Sequence, residues 1–305
     1  MLDQPFDDLA MDGAADDASP RQIWLCADDY GLSAGVNGAI RDLVTRRRLN
    51  ATSVMVVAPS FHRSEANALA ALNREEKRVA IGLHVTLTAP LHPLSDAYKP
   101  LRDGAFLPLA ETLMRAVLRR LDGEALAREI TAQLKMFAHI FGRAPDFIDG
   151  HQHVHLFPGV REAVLAAAKA NAPGAWLRQC GRAAAPRFSF ADRKAWLLDY
   201  LSRDFRARAE ALGLYTNAGF AGAYEFRDDA DIAALFAGFL DSVPDDGLIM
   251  CHPGFVDAEL QRLDPLTTLR EREYAFLASD EFPKLLARQG VTLASPQAGM
   301  GAGSP

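Results

Sequence analysis

Three of the chain's eight histidines stand within five positions, His151-Gln152-His153-Val154-His155, two residues after Asp149. Neutral imidazole is a common ligand for a divalent cation, and a nearby carboxylate usually orients its ring. If the segment is extended, residues 149, 151, 153 and 155 point to one side and make a wall of imidazoles with a carboxylate at its edge. Ala144-Pro145-Asp146-Phe147-Ile148 reads as a loop entering a short strand, and Gly159 onward reads as a helix. The cluster therefore sits at a strand-to-helix junction, where α/β proteins place their chemistry. A histidine-rich surface loop is the blander reading and fits that junction less well.

Other reactive side chains fall at the ends of apolar runs. Asp28-Asp29 follows Ile23–Ala27, His84 follows Val79–Leu83, Arg178 follows Ala175–Leu177, and His252 follows Leu248–Cys251. In a parallel α/β protein all such ends lie on one face. One carboxylate and two imidazoles are a common three-ligand set for a metal, leaving positions for water and substrate. The second aspartate could take a proton from the water, and a histidine opposite could give one to a leaving group. That chemistry is hydrolysis of an amide or ester. Each residue taken alone is weak: an Asp-rich turn can simply start a helix, a lone histidine beside a strand is more often a core residue, and an arginine at a strand end can be exposed. Their shared position carries the reading.

The elements that would position them alternate in type. Strands are predicted over 23–27, 51–57, 79–84, a short stretch ending near 148, 175–178, 248–251 and 291–293. Helices are predicted over 34–48 with Ser33 as cap, 62–73, 123–142 with Gly142 as stop, 160–171, 194–212, 231–240, 266–277 and 283–288. His139 falls on one of these helices and is expected to be structural or solvated. The stretches 90–108 and 214–224, rich in Pro or in Gly and aromatics, are expected as loops walling the site. Strand then helix, repeated about seven times, predicts an α/β fold, most simply a distorted (β/α) TIM-like barrel in a single domain, with an open doubly wound sheet as the alternative. No GxGxxG follows the first strand, which argues against a dinucleotide fold.

Composition narrows the function classes. The 305 residues are 49% hydrophobic with net charge -6, enough for a large core. No basic stripe is present to neutralise phosphates, so nucleic acid is not an expected partner. No apolar run reaches the ~20 residues of a membrane span, and Met1-Leu2-Asp3-Gln4-Pro5 does not resemble a signal peptide. Cys26, Cys180 and Cys251 are far apart and form no CxxC, so small buried thiols in the reducing cytoplasm are expected. Residues 1–20 carry six aspartates and are expected to form a disordered acidic tail. The barrel domain is then expected over 21–295, with a flexible tail over 296–305.

The motifs Ala27-Asp28-Asp29-Tyr30-Gly31-Leu32-Ser33, Ile81-Gly82-Leu83-His84-Val85-Thr86-Leu87-Thr88, Asp149–Pro158 and Cys251-His252-Pro253-Gly254 resemble those of the YdjC-like carbohydrate deacetylases. That group includes the chitooligosaccharide deacetylases and deacetylases associated with hopanoid synthesis. The resemblance runs in order over roughly residues 22–290, nearly the whole chain. It implies a distorted (β/α) barrel and a metal-dependent hydrolase that removes the acetyl group of an N-acetylated amino sugar or oligosaccharide. By motif position, Asp29, His84 and His151 would hold one divalent ion, zinc or magnesium. Asp28 would be the general base and His252 the general acid. His153 and His155 would lie behind the ligands or against the substrate, and Arg178 would orient Asp28, by analogy with polysaccharide deacetylases. No residue is assigned to an organic cofactor. Tyr30 stands where the family often has Phe, which keeps the ring. The expected partner is the sugar, with pairing into a homodimer through outer helices. Two alternatives stay open: a hydrolase of another amide or ester at the same site, and a non-catalytic sugar-binding homologue. The latter would be expected to lack the base or a ligand, and this chain keeps both.

Overall fold

The computed structural model describes residues 19–183 and 193–300. Most of the acidic tail expected over 1–20, and half of the flexible tail expected over 296–305, lie outside those residues. The strands are β1 (Arg21–Tyr30), β2 (Ala51–Val54), β3 (Ala80–Val85), β4 (Phe147–Gly150), β5 (Trp176–Leu177), β6 (Phe220–Ala221), β7 (Gly247–Cys251) and β8 (Val291–Leu293). The helices are α1 (Ala34–Thr45), α2 (Arg63–Ala71), α3 (Leu109–Val117), α4 (Gly123–Phe141), α5 (Val160–Asn171), α6 (Arg193–Ala211), α7 (Ile232–Ser242), α8 (Ala258–Leu263), α9 (Thr268–Ala278) and α10 (Glu281–Arg288).

All strand pairs in the sheet are parallel, in the order β5-β4-β3-β2-β1-β7-β6, with β8 beside the start of β1. The strand bodies are buried, as continuous apolar runs require when both faces are covered. Asn50 knits the seam where β8 ends and β2 begins. Its side chain accepts from the amide of Leu25 at 2.7 Å and donates to the carbonyls of Ile23 and Ala294 at 2.9 Å each.

The sheet curls into a distorted barrel. In a flat sheet β1 and β5 would lie four strand spacings, about 19 Å, apart. The rings of Trp24 on β1 and Trp176 on β5 are instead 5.6 Å apart, and Phe147 on β4 stacks on Trp176 at 4.3 Å. These rings fill the interior. Gly82 on β3 makes room for them, because a Cβ there would lie 2.4 Å from the Phe147 ring. The open edges meet through residues 215–221. Leu177 donates its amide to the Tyr215 carbonyl at 2.8 Å, and β6, a few residues on, pairs with β7. Between them the Asn217 side chain stands in for a strand backbone, accepting from the Gln179 amide at 2.8 Å and donating to the Gln179 carbonyl at 3.0 Å.

Several expected elements form where their local chemistry places them. Ser33 caps α1 through Val36, Asp122 caps α4, and Gly142 ends α4 in the left-handed region at φ 70°. The expected loop over 90–108 is irregular, but α3 follows directly from Pro108 and α8 follows Asp257, neither anticipated from periodicity. Among the described residues no helix is long and apolar enough to cross a membrane.

Candidate metal centre

The site grows from the alternation of side chains along strands. Trp24, Cys26 and Asp28 share the inner face of β1, as Gly82 and His84 do on β3, and Phe147 and Asp149 on β4. The ring layer thus forms a floor, and one step above it lies a polar layer of Asp28, Ser53, His84, Asp149 and Arg178. Strict alternation would send Asp29 outward. A β-bulge prevents this: between Ala27 and Tyr30, β1 advances three residues while β2 advances two, from Thr52 to Val54. Asp29 takes up the extra residue with φ 69°, a left-handed conformation that aspartate tolerates better than most side chains. Both carboxylates therefore reach the same mouth of the barrel, each less than 3% exposed.

Asp29, His84 and His151 come together, with one donor atom from each lying within 4.8 Å of the others. Asp29 Oδ1 is 3.3 Å from His84 Nε2 and 3.0 Å from His151 Nδ1. His84 Nδ1 donates to Asp149 Oδ1 at 2.6 Å, with Ser53 Oγ at 3.0 Å. That bond orients the ring and leaves Nε2 facing Asp29, the carboxylate–imidazole arrangement found behind metal-bound histidines. Burial disfavours a charged His84, but Asp149, and then Asp28 and Asp29, outweigh it and push its pKa up to about 10 without an ion present. With His84 neutral, as a metal ligand must be, three buried carboxylates, Asp28, Asp29 and Asp149, face two buried guanidiniums, Arg178 and Arg270, and the cluster is left with negative charge for a cation to offset. Donor types and charge both fit a divalent cation.

The expected wall of four inward side chains at 149, 151, 153 and 155 does not form. β4 stops at Gly150, and His151–Leu156 turn as a 3-10 segment in which Gln152 and His153 are left-handed, at φ 53° and 59°. Only Asp149 and His151 stay with the ligand group. His153 packs edge-on against Phe220, with Nδ1 3.4 Å from Cys180 Sγ. Burial first, then Arg178, lowers its pKa to about 3, so its ring is neutral. His155 turns behind the site, fully buried, and donates from Nε2 to the Arg178 carbonyl at 2.8 Å.

Arg178 is fully buried and reaches across from the end of β5. Its Nη1 and Nη2 donate to Asp28 Oδ2 and Oδ1, each at 2.6 Å, and Nη2 also lies 2.5 Å from Asp149 Oδ2 as an ion pair. Burial alone would raise the Asp28 carboxyl, but the Arg178 charge and fork, aided by His84 and His252, hold it well below the usual carboxylate range. His252 follows β7, half-buried. Its amide donates to Glu273 Oε2 at 2.5 Å, its ring meets Phe226 at 5.4 Å, and its buried Nδ1 has no hydrogen-bond partner.

Four further residues belong to this constellation and were not expected from sequence: Ser53, Asp264, Arg270 and Glu273. Arg270 donates from Nη2 to Asp29 Oδ2 at 2.6 Å. Ser53 follows strand periodicity on β2 and could have been found by extending the inward-facing rule. Asp264, Arg270 and Glu273 lie in or beside α9, where Arg270-Glu271-Arg272-Glu273 reads as an ordinary charged helix face.

A family model described as "YdjC-like protein" matches residues 22–288. A chitooligosaccharide deacetylase of Citrobacter koseri is 29% identical over 279 residues, covering 90% of this chain and 98% of that one. Among solved structures, a protein of Enterococcus faecalis described as a candidate for cellobiose-phosphate cleavage superposes with a TM-score of 0.70 at 24% identity, covering 92% of this chain and 99% of that one. A peptidoglycan N-acetylglucosamine deacetylase superposes at 0.50 with 9% identity, covering 93% and 89%. The last two likenesses are of fold.

Proposed function

Because the chain belongs to the family of YdjC-like proteins, we propose that it is a metal-dependent hydrolase that removes the acetyl group from an N-acetylated amino sugar or oligosaccharide. The observation that carries this reading is the convergence of Asp29, His84 and His151 beside an Asp28 gripped by Arg178. The chitooligosaccharide deacetylase similar to this chain along nearly its whole length supports the choice of substrate class.

Asp29, His84 and His151 would hold the ion. Two imidazoles and one carboxylate favour zinc or a similar transition ion, with magnesium the harder alternative. When bound, a divalent ion polarises an acyl carbonyl and acidifies water. The protein's own groups do the rest. Asp28, ionised at neutral pH, accepts the proton of the attacking water. Its weak basicity suits a water whose acidity is already raised. Arg178 fixes the carboxylate orientation and keeps it from being protonated. His252, at the end of β7 beside β1, gives a proton to the departing amine nitrogen as the C–N bond breaks, yielding acetate and the free amino sugar. Buried free thiols at Cys26, Cys180 and Cys251 suit a reducing compartment such as the cytoplasm.

The test is acetate release from a panel of N-acetylated mono- and oligosaccharides, with and without chelator and re-added divalent ions. Chelator-sensitive release restored by an ion is the expected result. Release indifferent to chelator would remove the metal from the reaction. No release from any sugar, with an ion demonstrably bound, would favour a different amide or a non-catalytic sugar-binding role.

A further inference from the structure

Arg270 is a buried cation with no part in the scheme above. It is 1% exposed and stands in the first turn of α9. Its Nη2 donates to Asp29 Oδ2 and to Asp264 Oδ2, each at 2.6 Å, and its Nε donates to the Leu266 carbonyl at 3.0 Å. The two oxygens of Asp29 are therefore divided. Oδ1 faces both candidate ligand histidines, and Oδ2 is taken by the guanidinium.

We propose that Arg270 is a positioning residue that reserves Oδ2 and so confines Asp29 to one-oxygen coordination of the ion. This rests on the metal reading given above. A carboxylate can grip a cation with one oxygen or both. Two-oxygen binding would take up a coordination position that water or the acyl oxygen needs in an open catalytic site. The guanidinium charge, one carboxylate away from a dication, also loosens the ion's hold.

The same helix ties the ligand to the proposed acid. The Arg270 carbonyl accepts from the Gly254 amide at 3.1 Å, and Glu273, one turn further along α9, accepts from the His252 amide at 2.5 Å. α9 thus sets Asp29 and the His252 loop in one frame.

The test titrates the metal-free protein with zinc by calorimetry and records the visible absorption of the cobalt(II)-loaded protein, for the native chain and for Arg270→Gln, Arg270→Lys and Asp264→Asn. Arg270→Gln should bind zinc more tightly, by at least about tenfold. Its cobalt bands should weaken toward those of higher coordination, and its kcat should fall. Arg270→Lys should return toward native behaviour, because a single nitrogen makes both carboxylate contacts. Asp264→Asn, which leaves Asp29 as the only carboxylate on Nη2, should shift zinc binding the other way, to weaker. It provides a test even if Arg270→Gln does not fold. Native-like or weaker zinc binding with an unchanged cobalt spectrum in Arg270→Gln would overturn the proposal, as would unchanged or tighter binding in Asp264→Asn. If the native chain binds neither ion, the metal reading falls with it. If the native chain binds and the variants match it, only the role of Arg270 falls.

Discussion

Arg178 spans the barrel mouth to hold Asp28 in a two-pronged grip, both bonds 2.6 Å long and both partners buried. The pair links the fifth strand to the first and fixes the charge state of the proposed base. Arg178→Gln should lower kcat by at least about 100-fold and cost about 3–5 kcal/mol of stability, since it strands buried carboxylates. It should also move the acid limb of the kcat/KM profile to higher pH, because Asp28 loses the cation that keeps it ionised. Asp28→Asn should nearly abolish turnover while retaining the ion. An active Asp28→Asn would remove the base assignment.

Asp149 makes no direct claim on the ion but governs His84 through Nδ1. Asp149→Asn keeps an acceptor for that nitrogen and removes the charge. Metal affinity should fall by about 10–100-fold with all three ligands in place. His84→Ala should lose the ion outright. Metal analysis after dialysis against a buffered ion series separates the two, and unchanged metal content in His84→Ala would exclude it as a ligand.

The raised pKa of His84 sets a pH dependence for the metal-free protein. A basic group whose folded value, about 10, exceeds its unfolded value of about 6.5 stabilises the fold fully below 6.5. That stabilisation is lost as pH rises toward 10. Chelator-treated protein should therefore lose stability between pH 6.5 and 10 in denaturant titrations, at a slope of at most about 1.4 kcal/mol per pH unit from this group. The slope should flatten in His84→Gln. A native slope equal to that of the variant would show that the Asp149 pair does not hold His84 protonated.

Gly82 lies two residues before His84 on the same inner face of β3, against Phe147. A methyl group at that position has no room unless the ring moves, and the ring is stacked on Trp176. Gly82→Ala should destabilise the protein by about 1–3 kcal/mol and lower activity, since the displaced layer lies directly beneath His84. Thermal melts and acetate release measure both effects.

Much of the site was legible because barrels put chemistry where apolar runs stop. Asp28, Asp29, His84, His151, Arg178 and His252 each follow such a run, and the sheet's curl brings those ends together. What stayed hidden has physical causes. The bulge at Asp29 adds one residue without any mark in composition. His151, His153 and His155 alternate as strand residues do, yet the left-handed pair Gln152–His153 breaks the strand at that point. β6, two residues long, is too short for periodicity to reveal and lies in a stretch expected as a loop, whereas the equally short β5 forms within the strand expected at 175–178. Arg270 and Glu273 sit in a charged stretch of α9 that looks solvated until the helix is docked, and only then do they face the barrel mouth.

The aromatic floor of Trp24, Phe147 and Trp176 closes the barrel beneath the polar layer. On the proposed reaction, sugar would arrive, and acetate and amine would depart, on the strand-end side, so traffic would be sequential. The product nearer the strand ends would then block the way for the one lying deeper, and retained acetate beside Asp29, His84 and His151 would compete with the next substrate.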